Sequence, residues 1–119
     1  MQYDYRREAS TRVDVVGVRA TAVLVFDGVF LLRPELRRFW TLAVYLAITP
    51  EERMRRAVAR EVEMLGSAAD VEQRDAKRYL PGQALYRQEA SPESHANVVV
   101  DNSEPTAPTI LRWAAPAPL

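Results

Sequence analysis

The 119 residues leave room for one domain with one core, and 48% hydrophobic with 27% charged residues is globular usage that argues against wholesale disorder. Sixteen basic residues balance sixteen acidic ones, so no overall field recruits nucleic acid or an anionic membrane, and any anion site must be local. The lack of cysteine excludes disulfides, thiolate metal centres and cysteine nucleophiles, while the longest apolar stretch, Phe39 to Ile48, is about half of the ~20 residues that a membrane-crossing helix needs.

In chain order, Met1 to Glu8 is charged and has no apolar core of a signal peptide, so the cytoplasm is the expected location. Residues 1–19 are polar and read as a loop or a weak strand around Val13 to Val18. Ala20 to Phe26 is an uninterrupted apolar run ending at Asp27 and Gly28, the pattern of a strand covered on both faces in a parallel sheet. Pro34 can open a short helix after it, and Thr41 to Ile48 repeats the buried-strand pattern. Thr49, Pro50, Glu51 and Glu52 then supply a capping hydroxyl, a proline at the first helical position and two acids at the positive end of the dipole. They predict a helix to about Leu65 that stops at Gly66.

Ser67 to Leu80 reads as a second helix capped by Ser67, with a break at Pro81 and Gly82 and helix again over Gln83 to Ala90. Ala96 to Val100 is a third strand of the buried type. Ser103 to Leu119 holds four of the eight prolines, so residues 103–119 should be a mostly irregular tail with at most a helical turn at Ile110 to Trp113. Strands separated by helices need crossover connections, which predicts an α/β fold with about three parallel strands.

Three groups of residues could carry chemistry. Asp27 follows the carboxyl end of the first apolar run, where ligands of open α/β sheets collect and an acid can hold Mg²⁺ through water; an Asp-Gly turn is the plainer reading. Arg53, Arg56 and Arg60 share one helix face, and three mutually repelling cations there call for an anion, for acids from elsewhere, or for pairing with Glu52, Glu61 and Glu63. Arg74, Lys77 and Arg78 precede the Pro-Gly pair and suit a lid over phosphates, or simply a cationic helix end. Fifteen of the sixteen basic residues are Arg, whose planar fork matches phosphate, although a gene rich in G and C gives the same bias. His95 has no neighbouring group to orient it as a base and reads as a loop residue. Trp40, Trp113 and Tyr45 read as packing residues.

Taken together, FDGVFLLRPELRRFW, PEERMRRAVAREVEMLGSA, RYLPGQALY and ANVVVDNSEPTAP, in this order from about Tyr3 to Trp113, resemble the uridine kinase-like branch of the P-loop nucleoside and nucleotide kinases. The resemblance implies that residues 1–113 are the C-terminal part of a P-loop kinase domain, a partial three-layer sandwich. It implies transfer of the γ-phosphoryl of ATP to the 5′-hydroxyl of a nucleoside such as uridine. Asp27 would be the catalytic acid that positions Mg²⁺ on the ATP phosphates, and Phe26 to Gly28 the lip of the parallel sheet. Arg56 and Arg60 would contact ATP phosphate, and Asp4, Arg74, Arg78 and Tyr79 would lie on the nucleoside side.

The family usually shows Arg-Tyr where Arg74-Asp75 stands and Ala-Asp where Ala96-Asn97 stands. No G-x-x-x-x-G-K-[ST] loop occurs, and glycines at 17, 28, 66 and 82 cannot build one. In the family that loop and its strand come earlier, and the strand lies between those matching 20–26 and 41–48. Without it, two apolar strands face a gap, so marginal stability and little or no kinase activity alone are expected. The competing reading is a non-catalytic module whose missing strand is covered by a second copy or a partner chain.

Overall fold

The computed structural model describes residues 2–4, 9–11 and 16–116. Gln2–Asp4 (β1) and Ala9–Thr11 (β2) pair as a short antiparallel ribbon. The main sheet has three strands, Val44–Ala47 (β3), Val98–Asp101 (β4) and Thr109–Trp113 (β5), in the order β3-β4-β5. β3 and β4 run parallel, with Val44 opposite Val98 and Ala47 opposite Asp101, and the helices between them form the crossover. The α/β class is therefore as expected, but the sheet is mixed.

β5 lies in the tail read as irregular and pairs antiparallel to β4, with a register irregularity at Val99 and Val100. The prolines flank rather than interrupt it, so TILRW keeps every amide for the ladder. The apolar run 20–26 is not a strand: residues 22–28 are irregular and exposed, with Val23 87%, Leu24 80% and Val25 87% accessible. A strand needs a neighbour for its amides and carbonyls, and this run has none among the described residues. Phe26 to Gly28 accordingly do not form the lip of a sheet. Of the weak strand around Val13 to Val18, positions 13–15 lie outside the described residues and 16–18 are irregular.

The helices follow their terminal residues closely. Pro50–Leu65 (α1) is capped by the Thr49 hydroxyl, which accepts from the Glu52 amide at 3.3 Å, and ends at Gly66, whose φ of 97° favours glycine. Ser67 repeats the cap for Ala68–Arg74 (α2), accepting from the Asp70 amide at 3.2 Å. The backbone then widens into a π-helical segment, Asp75–Tyr79, and continues as Leu80–Ala90 (α3). The break expected at Pro81 and Gly82 does not occur, because the proline falls in the first turn of α3, directly after a wide turn that shifts the hydrogen-bond register. Pro92–His95 (α4) leads into β4.

The small core comprises Leu32, Ala96 and Val99, with Trp40, Ala43, Tyr45, Ala47 and Tyr86 packed on it. Side chains tie the 30–40 segment to it by its backbone. The Tyr86 hydroxyl accepts from the Leu32 amide at 3.0 Å, and Trp40 Nε1 donates to the Leu31 carbonyl at 2.7 Å. Arg37 Nε donates to the Leu32 carbonyl at 2.8 Å, with its second nitrogen on the Ala90 carbonyl. Asn97 Oδ1 accepts from the Ala43 amide at 2.9 Å, which sets the start of β3 against β4.

Candidate functional site

The site is built where α1, α2 and the π-helical segment meet. Arg53 on α1 makes a two-pronged ion pair with Asp75, both N–O distances 2.7 Å, and Asp75 is only 4% exposed. The pair fixes the first residue of the π-helical segment against α1, and the guanidinium holds the Asp75 carboxyl below the usual carboxylate range. Arg74, Lys77 and Arg78, spaced three and four apart, then line one open recess of about 450 Å³ together with Leu65, Asp70 and Gln73. The single acid in that lining is engaged at its own helix cap, where Ser67 Oγ donates to Asp70 Oδ2 at 2.6 Å. Arg74 approaches Glu61 only at 3.9 Å. The recess therefore presents three cations to solvent with little internal neutralisation, the electrostatic character of an anion site.

The arginine row of α1 divides by partner. Arg53 faces Asp75, an acid from elsewhere. Arg56 donates to Glu52 at 2.7 Å and to the Asn102 and Ser103 carbonyls at 2.7 and 3.0 Å, clamping α1 to the loop after β4. Arg60 is 68% exposed, with Glu61 at 3.7 Å. Arg55, off the row, shares Glu52 with Arg56, and first the Arg55 and then the Arg56 hydrogen bonds pull the Glu52 carboxyl from 4.5 to about 2. Glu61 thus faces both Arg60 and Arg74, whereas Glu63 is exposed.

The other singled-out residues stand apart from this recess. Asp27 sits in the exposed irregular run, and Asp4 is on β1 opposite Ala9. Tyr79, exposed, ends the π-helical segment. His95 ends α4 with Nδ1 3.0 Å from the Ser91 carbonyl. Among the described residues no group of three or more acids and histidines could hold a metal ion of its own. A lone carboxylate such as Asp27 fits Mg²⁺ only when a bound nucleotide supplies the remaining ligands.

Sequence reasoning does not single out Asp75, Asn97 or Tyr86. The one available signal is Asp75 itself, an acid inside RDAKR that must face a cation.

A second recess of about 300 Å³ lies between residues 30–35 and α3. Phe30, at a φ of 61°, meets Tyr86 there edge-on, ring centres 5.2 Å apart. Among the described residues no helix is long and apolar enough to cross a membrane. No known protein family, curated protein or solved structure significantly matches the chain.

Proposed function

We propose that the chain is the lid-bearing portion of a uridine kinase-like phosphotransferase, binding the phosphates of a nucleotide through Arg74, Lys77 and Arg78 while lacking the means to transfer a phosphoryl group alone. The observation that carries this reading is the convergence of those three cations on one recess, with Arg53–Asp75 holding the segment that bears them. Phosphoryl transfer depends on positioning and charge neutralisation by backbone amides and a lysine over the β- and γ-phosphates. The sequence has no such loop, so binding without turnover is the expected behaviour. MgATP is then a substrate-type ligand at that recess, and by the same resemblance the nucleoside acceptor would lie towards Tyr79, at the end of the π-helical segment.

Thermal unfolding with and without MgATP and uridine tests the reading. A ligand at about 100 times its Kd adds about 2.7 kcal/mol to the native state, a rise of roughly 10 °C in Tm for a domain of this size. The rise should vanish in Arg74→Ala/Arg78→Ala, and a coupled kinase assay should stay at background. No shift with either ligand contradicts the reading.

A second reading is favoured by the exposed, uncharged run Ala22–Phe26 and by the outer edge of β3, which has no strand partner among the described residues. In it the chain is a binding module that completes its sheet with another polypeptide, and its signature is a stoichiometric complex with no response to nucleotide.

A further inference from the structure

We propose that two copies of this chain associate by reciprocal strand addition, the Ala22–Phe26 run of each copy pairing with the open edge of β3 in the other. This rests on the second reading above and names its partner. The run is AVLVF, free of charge and proline and rich in β-branched residues, yet it lies in solvent up to Phe26, which stacks on Trp40 at 5.7 Å. β3 is the outer strand of its sheet, and β4 satisfies only one of its edges. The other edge carries none of the devices that protect exposed edges: Ala43 to Ala47 contains no proline, no charge and no bulge, and Val44 and Leu46 are exposed.

The apolar surface available for pairing is local: Val23, Leu24 and Val25 of the run and Val44 and Leu46 of the edge are each half or more exposed. Stoichiometry selects a second copy as the occupant. Among the described residues each chain offers one unpaired apolar run and, at β3, one uncharged outer edge, the outer edge of β5 carrying Arg112, so a two-fold pair consumes the run and the β3 edge of both copies. A partner that only donated a strand to β3 would leave Val23, Leu24 and Val25 in water.

Sedimentation and light scattering of the pure 119-residue chain over a wide concentration range supply the test. The proposal expects a dimer, and a monomer from Val25→Pro or Val23→Lys. Both substitutions fall at solvent-exposed positions, so far-UV circular dichroism should be unchanged and loss of the dimer cannot be loss of the fold. The cysteine-free background permits a second readout: mixing a Leu24→Cys copy with a Leu46→Cys copy should give, on oxidation, a disulfide-linked pair containing one of each. A monomer at every concentration, a dimer that survives Val25→Pro, or no mixed disulfide overturns the proposal. A pure monomer whose β3 edge is taken by a different polypeptide also overturns it, while leaving the second reading standing.

Discussion

At the scale of single residues, the Arg53–Asp75 pair is the contact on which the cationic recess depends. Removing one partner of a buried ion pair leaves an uncompensated charge and costs about 3–5 kcal/mol. Arg53 is partly exposed, so Arg53→Met should fall near the lower end, about 3 kcal/mol by urea unfolding. Replacing both groups, Arg53→Met with Asp75→Leu, should recover most of that loss. The carboxylates also set an acid limit. Both Glu52 and Asp75 have folded pKa values below their ordinary ones, so each contributes stability above its unfolded pKa and loses it as pH falls through the folded value. For Glu52 the window runs from pH 4.5 down to about 2. Glu52→Gln should flatten the stability profile across that window, measured as urea midpoint against pH, and leave acid sensitivity at Asp75.

At the scale of elements, local chemistry made the helices legible. Thr49, Pro50 and Gly66 mark both ends of α1, and Thr49→Ala should cost about 1 kcal/mol because the hydroxyl alone satisfies the Glu52 amide. β3 and β4 were legible too, since TLAVYLAI and ANVVV are apolar runs that find partners. The same pattern over 20–26 misled, because an apolar run specifies that a strand is possible and not that a neighbour exists to pair with it. β5 was hidden by its prolines, although Pro105 and Pro108 precede it and Pro116 follows it. The Pro81–Gly82 pair misled for a related reason: a proline ends a helix only where its ring and missing amide fall in the interior, and here a π-helical turn precedes it. Of the candidate site, the basic triad could be read from spacing. Asp75, its anchor, could not, because its partner lies 22 positions earlier and the pairing is made by the fold.

At the scale of the whole molecule, a three-stranded sheet whose outer strands β3 and β5 have no further partner among the described residues, together with an apolar run in solvent, is an incomplete core. The Leu32, Ala96 and Val99 cluster gathers between β3, β4, α3 and the 30–40 segment, while the recess is lined by residues from the end of α1 through α2 to the π-helical segment. Backbone amide chemical shifts followed during titration with ATP decide whether the cationic recess holds a nucleotide's phosphates. Saturable shifts confined to Leu65 through Arg78, and abolished by Arg74→Ala/Arg78→Ala, are the predicted result. Absent or non-saturable shifts, or saturable shifts centred elsewhere in the chain, would contradict it.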